Sequence, residues 1–257
     1  MVQTIERVNA LLDLLGSYSH GISLHQISMT LGLPKGTCHR LLNSLAYFDF
    51  VRQESKTRYY ALGFKHLELA NRLLRQLDFR EVATPILKEL SNKIKETVHL
   101  VILDRDEVLY IEKFEPYEAQ NGLQMASKVG HRSPAHCCAV GKILLSELPE
   151  ERVEAIIQAR GLPRRTENTI TDKTQLSKHL KQIREQGYSI DDEENEVGIR
   201  CVAAPIRNAM GEAIAAISIS GPALRITKEA IEKSLKSLVM KTAMRISEKL
   251  GYKPAKS

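Results

Sequence analysis

Two short amphipathic segments meeting at Gly32 constrain this chain more than any other feature. Ser23-Leu24-His25-Gln26 has the reciprocal pattern of a capping box, in which a serine hydroxyl accepts a first-turn N–H and the glutamine reaches back. Leu24, Ile27 and Leu31 then repeat along one face, Gly32 ends the helix, and Pro34 suits the first position of the next one. Cys38, Leu41, Leu42 and Leu45 give that next helix an apolar inner side. An earlier helix carries Ile5, Val8, Leu12 and Leu15 and stops near Gly16. Helix, glycine turn, helix is the spacing of a helix-turn-helix.

The outer side of the third helix agrees with this. At helical periodicity Gly36, His39, Arg40, Asn43 and Tyr47 lie opposite the leucines, with Lys35 and Thr37 flanking the start. Such side chains donate to phosphates and reach base edges, and Arg40 can pair with a guanine edge through both its nitrogens. Val51–Gly63 follows, apolar or aromatic at its ends and polar at its centre, which predicts a hairpin with its tip at Ser55–Thr57. A hairpin directly after a recognition helix is a wing, whose Lys56 and Arg58 would touch phosphate. Charge is distributed accordingly: of the net +6, residues 1–80 hold +4. A basic front segment points to double-stranded DNA.

Phe64–Leu77 predicts a connecting helix with a narrow seam of Leu67, Ala70, Leu74 and Leu77, fit either to pack on its own domain or to pair with a second subunit. Asp78-Phe79-Arg80-Glu81 has a capping-box pattern and opens a helix with Pro85 in or near its first turn, running to about Lys95. Thr97–Leu103 and Val108–Phe114 then predict a hairpin, and Leu123–Val129 a further strand. Helices are expected near Ala139–Leu148, after Pro149, and after a cap at Asp172. Ile199–Arg207 and Glu212–Ser220 predict central strands, and Thr227 opens a last helix with Ile231, Leu235, Leu238, Thr242 and Ile246 on one side. The expected fold class is α+β, an antiparallel-rich sheet flanked by helices behind a winged helix-turn-helix.

The stretch Gly32-Leu33-Pro34-Lys35-Gly36-Thr37-Cys38-His39-Arg40-Leu41-Leu42, with Tyr59-Tyr60-Ala61-Leu62-Gly63, resembles the DNA-binding domain of the IclR family of bacterial transcriptional regulators. It departs from the family at Gly36, where a serine is usual, and at Asp49, where a glycine is usual and a locally different turn is therefore expected. Ser133–Lys142, Gly187–Glu194 and Gly198–Ile206 through Ser218-Ile219-Ser220-Gly221-Pro222 extend the resemblance over essentially the whole chain. Glu96–Leu100, Thr166–Thr171 and Arg184–Tyr188 are similar to repressors of sugar-acid catabolism that respond to 2-keto-3-deoxygluconate. The resemblance implies a winged helix-turn-helix domain over 1–63, a linker helix over 64–78 and a GAF-like effector-binding domain over 79–257. It also implies a homodimer or homotetramer on a near-palindromic operator, and favours the pairing role for the 64–78 seam.

The family's effector positions fall on Ala139, Val140, Asp191, Cys201, Ser218 and Ser220. The residues suit that role. Ala139 and Val140 stand near a helix start, whose free N–H groups favour a carboxylate. Ser218 and Ser220 are two apart on a strand and share a face, so each can hydrogen-bond a carboxylate or carbonyl oxygen. Cys201 is a small wall residue, and Asp191 accepts from a ligand hydroxyl or positions a water. The expected ligand is a small organic acid, of the 2-oxo or sugar-acid class.

Two rival readings use other residues. A cysteine-dependent enzyme would need His136 and Cys137 as base and nucleophile, yet sequence neighbours seldom meet in that geometry. A zinc sensor would draw on His136, Cys137, Cys138, Asp191 or Cys201, without CxxC or HExxH spacing. The acidic run Asp191–Glu194 is expected to be mostly a solvated surface, since consecutive acids cannot all face one ion. No nucleotide-binding loop is present and no cofactor is expected. With no signal-like opening, no membrane-length apolar run and scattered cysteines, the expected setting is the cytoplasm with reduced thiols.

Overall fold

The computed structural model describes residues 2–116 and 125–254. The chain divides into two compact units, Met1–Gln76 and Leu77–Ser257.

In the first unit, helices α1 (Gln3–Gly16), α2 (Leu24–Leu31) and α3 (Lys35–Tyr47) precede a hairpin of β1 (Val51–Gln53) and β2 (Tyr60–Leu62). The capping box at Ser23 forms in both directions, and Gly32 ends α2 in the left-handed conformation. Pro34 stands one place earlier than expected, as the N-cap of α3. Leu11, Leu15, Ile27, Cys38, Leu42, Val51 and Tyr60 close one core. Ile22 exchanges backbone hydrogen bonds with Tyr60, at 3.0 and 2.8 Å, and so ties the wing to the helices. Asp49 takes the left-handed turn itself, at φ 58°. A carboxylate side chain tolerates that region better than most, so the turn expected to differ from a glycine turn keeps the conformation glycine favours. Gly63 is sterically required opposite it: a Cβ there would lie 2.0 Å from the Asp49 carbonyl oxygen. The connecting helix α4 covers Lys65–Arg75. In its seam Leu67 and Ala70 are exposed and Leu74 is half-buried.

In the second unit, α5 (Asp78–Ile94) leads into a six-stranded antiparallel sheet. Its strands are β3 (Thr97–Asp104), β4 (Glu107–Phe114), β5 (Arg132–Pro134), β6 (Ser189–Asp192), β7 (Ile199–Arg207) and β8 (Ala213–Pro222), in the order β5-β4-β3-β8-β7-β6. Asp78 is the first helical residue of α5 rather than its cap, and Pro85 sits well inside the helix. The strand expected at Leu123–Val129 lies partly outside the described residues, and Met125–Val129 is irregular. The helix after Asp172 (Lys173–Gln186) is capped as expected, the carboxylate accepting from the Gln175 N–H at 2.8 Å. The last helix runs unbroken but changes its winding. Thr227 caps a short turn, Ile231–Leu235 winds as a π-helix, and Lys236–Lys249 follows.

Alternation along the strands gives the sheet two apolar faces. Val101, Ala203 and Ala216 pack with the helices Ala139–Ser146 and Lys173–Gln186 in the larger core. Val98, Leu100, Ile217 and Ile219, also fully buried, point to the other side. The register also sets the site. Asp191 pairs with Cys201 and Cys201 with Ser220, forming one row across β6, β7 and β8. Ala203 pairs with Ser218 and Ser218 with His99, forming the adjacent row.

Candidate functional site

The outer face of α3 is open. Lys35, Gly36, His39, Arg40 and Asn43 are exposed and Thr37 is half-buried. The proline N-cap offers no side-chain bond to the first turn, so the N–H groups of Lys35 and Gly36 stay free for an anion. Among the described residues nothing comes within 4 Å of a Cβ at Gly36, so no contact among them calls for glycine there. The Asn43 amide approaches His39 Nδ1 at 3.4 Å and sets both side chains side by side. On the hairpin Lys56 and Arg58 are exposed, with Arg58 in the left-handed region at φ 60°. The turn is closed by the Arg58 N–H on the Glu54 carbonyl at 2.9 Å. These eight residues thus form a polar, basic surface on one small unit.

The second unit holds a cavity of about 110 Å³ over the face of the sheet. One water needs about 10–15 Å³ of such space, so this has room for a small organic molecule. Ala139, Val140, Asp191, Cys201, Ser218 and Ser220 all line it. They come from four separate elements, brought together by the strand register and by the helix Ala139–Ser146. That helix has no side-chain cap. Its first-turn N–H groups therefore lack an intrahelical acceptor at the cavity wall. Gly141 lets the helix start so close to the preceding loop: a Cβ there would meet the Ala135 carbonyl oxygen at 2.2 Å.

The floor is more elaborate than the sequence suggested. Ser218 Oγ and Ser220 Oγ lie 3.0 Å apart, and each lies 3.3 Å from His99 Nδ1. His99 Nε2 reaches Ser127 Oγ at 2.9 Å. Burial, helped by the nearby Lys113 charge, pushes the His99 pKa down to about 3, so the ring is neutral. Tyr110 meets His99 edge-on at 5.1 Å and stacks on His131 at 6.2 Å, forming an aromatic wall. His99, Ser127, Tyr110, Asn195 and Arg165 line the cavity without having been singled out from sequence. His99 had a signal, since it alternates with Thr97 on a strand within a motif already noted; Ser127 and Arg165 had none. Arg165 is exposed and adds a cation to the cavity lining.

The acidic run is not a solvated surface. Asp191 and Glu194 are buried, and Asp192 and Glu193 pair with Arg200. Asp191 Oδ1 accepts the N–H of Glu194 at 2.7 Å and of Asn195 at 3.4 Å. Burial raises the Asp191 pKa to about 7, against the lowering pull of Lys142. Glu194 forms an ion pair with Lys142, whose side chain is wholly buried, and Lys142 also approaches His179 Nε2 at 3.4 Å. Among the described residues Glu194 Oε2 has no hydrogen-bond partner. Glu194 is pushed up by burial, and burial lowers His179 to about 4.

The residues of the rival readings are otherwise engaged. His136 Nε2 donates to the Pro163 carbonyl at 3.1 Å. The Cys137 thiol donates to Pro134 O and Asn195 Oδ1, and burial pushes its pKa up to about 12, which is the reverse of an activated nucleophile. Burial also raises Cys138 and Cys201. Among the described residues no group of three or more His, Cys, Asp or Glu is placed to hold a metal ion. No helix among them is long and apolar enough to cross a membrane.

Comparison with known proteins places both units in one family. Residues 4–55 match the profile described as the IclR helix-turn-helix domain, and residues 71–248 match that of the bacterial transcriptional regulator IclR C-terminal. The chain is 35% identical over 251 residues to the HTH-type transcriptional regulator KdgR of Escherichia coli, covering 98% of this chain and 94% of that one. It is 37% identical over 252 residues to the HTH-type transcriptional repressor AllR of Salmonella typhimurium, covering 98% and 91%. Among solved structures, an IclR homologue from Microbacterium hydrocarbonoxydans complexed with 4-hydroxybenzoate superposes with a TM-score of 0.84, at 25% identity over 96% of this chain and 99% of that one.

Proposed function

We propose that this chain, which belongs to the IclR family of bacterial transcriptional regulators, is a repressor whose grip on its operator is set by a small organic acid held in the second unit. The observation that carries this reading is convergence: Ala139, Val140, Asp191, Cys201, Ser218 and Ser220 meet around one cavity. The homologue solved with 4-hydroxybenzoate, itself a hydroxylated carboxylic acid, supports a ligand of this kind. A 2-oxo or sugar acid fits the mixture of hydroxyls, backbone N–H groups and one carboxylate.

On the DNA side, α3 enters the major groove with Lys35, Gly36, Thr37, His39, Arg40 and Asn43 against bases and phosphates. Lys56 and Arg58 of the wing hold the backbone beside it. The exposed Leu67 and Ala70 of α4 support pairing of two copies on a near-palindromic site, because symmetric subunits read symmetric half-sites. The effector acts through a difference in its affinity for the DNA-competent and DNA-incompetent arrangements. Its effect is therefore reciprocal, and operator DNA changes effector affinity by the same factor.

Calorimetric titration of 2-oxo and sugar acids into the full chain, with and without its upstream DNA, tests this. Binding of one acid with an affinity that DNA shifts is the expected result. Operator binding that no acid alters would leave the second unit an oligomerisation module and overturn the reading.

A further inference from the structure

The hydroxyls on the cavity floor are not free agents. His99, Ser218, Ser220 and Ser127 each carry one hydrogen, since a neutral imidazole has one N–H. They are joined by the contacts Ser218–Ser220, His99–Ser218 or His99–Ser220, and His99–Ser127. Four hydrogens serving three bonds leave one to spare. The fourth contact, from the other serine to the same Nδ1, shares that atom's one hydrogen or one lone pair and adds no donor. Where the spare hydrogen sits depends on the imidazole tautomer. If Nδ1 carries the proton, Ser127 donates to Nε2 and the free hydroxyl is at Ser218 or Ser220. If Nε2 carries it, Ser127 holds the free hydroxyl and the serine pair shows the cavity only lone pairs.

A carboxylate has no hydrogen and seeks donors for both oxygens, and the serine pair, with at most one spare hydrogen, cannot serve both without breaking its own bonds. Breaking a buried bond leaves a polar group unpaired, with its desolvation uncompensated. An alcohol fits instead, because it accepts the one spare hydrogen and donates to a lone pair. Asp191 beside the floor offers carboxyl oxygens that accept from a hydroxyl and, when ionised, repel a carboxylate. The donors a carboxylate needs lie elsewhere in the lining, at the first-turn N–H groups of Ala139 and Val140 and at Arg165.

We propose that His99, by tying Ser218, Ser220 and Ser127 into one chain with at most one spare hydrogen, makes the cavity floor a hydroxyl site, so that the effector is a hydroxy acid bound with its alcohol on the floor and its carboxylate at the helix start. This rests on the cavity being the effector site. His99 is then a specificity-determining residue, and its ring stays neutral because burial opposes a second proton.

Three acids of one chain length separate the possibilities: 5-hydroxypentanoate, glutarate and pentanoate, titrated calorimetrically into the full-length protein at pH 6. The hydroxy acid is expected to bind at least ten-fold tighter than glutarate and tighter than pentanoate. In His99→Phe the two serine hydroxyls can both turn to the ligand, and the preference over glutarate is expected to collapse. Nitrogen-15 spectra of the wild-type imidazole supply a readout that needs no variant, with one protonated and one bare ring nitrogen expected for His99 when 5-hydroxypentanoate is bound. Glutarate binding as well as the hydroxy acid, a preference that survives in folded His99→Phe, or a doubly protonated His99 ring would each overturn the proposal while leaving the cavity as the effector site. If none of the three acids binds, this proposal fails, and the effector reading falls with it only if the 2-oxo and sugar acids also leave operator binding unaltered.

Discussion

Asp191 Oδ1 takes the N–H of Glu194 at 2.7 Å, so the carboxylate that faces the cavity also folds the turn behind it. Desolvation is the main cause of its raised pKa, about 7 against an ordinary 3.8. The folded chain therefore holds a proton that the unfolded chain releases. The stability this contributes is fully present below about pH 4 and is lost as pH rises through 7. Urea denaturation at pH 5 and pH 8 should show a larger fall in wild type than in Asp191→Asn. A carboxylate effector should also bind with proton uptake near pH 7, seen as a dependence of the titration heat on the buffer's ionisation enthalpy.

The two basic surfaces of the first unit should separate by salt and sequence. Arg40→Ala should cost about 1–3 kcal/mol on the operator and relax selectivity at one base position. Arg58→Ala should weaken every duplex alike and lower the slope of log affinity against log salt by about one. Gel shifts over a salt series check both.

Removing Lys142 should be far more damaging than removing an exposed lysine. Lys142→Met leaves Glu194 buried beside no cation, at a cost of about 3–5 kcal/mol. In a unit of this size that corresponds to a fall of roughly 6–20 °C in Tm. Lys142→Met with Glu194→Gln should recover much of the loss in a thermal melt.

Gly141→Ala should move the start of its helix away from Ala135, because there is no room for the new methyl group. Overpacking of this kind costs about 1–3 kcal/mol. Effector affinity should drop with it, while operator binding by the ligand-free protein stays near wild type in a parallel gel shift.

Local chemistry made the first unit legible before any coordinates. Ser23, Gly32 and the leucines of α3 act within a few residues of themselves, and the structure keeps them within a residue of expectation. In the second unit, strand alternation made Ser218 and Ser220 share a face, and the register then brought Cys201 and Asp191 alongside. The acidic run misled because four adjacent charges look solvated. Their partners, Lys142 and Arg200, come from other elements, and no periodicity announces a counter-ion so far away. Ser127 was invisible for the same reason: its only distinction is the imidazole that it meets across the fold.

The buried pair beneath the cavity also limits how such a chain can drift. Lys142 and Glu194 stand 52 positions apart in sequence, yet neither is tolerable without the other. A lineage cannot cross from this pair to an uncharged one by single steps without passing through a crippled intermediate. Descendants should therefore keep both residues or exchange both together, so the two columns should change as one across a deep set of relatives. Effector preference can then diversify through the cavity lining on a base that hardly moves.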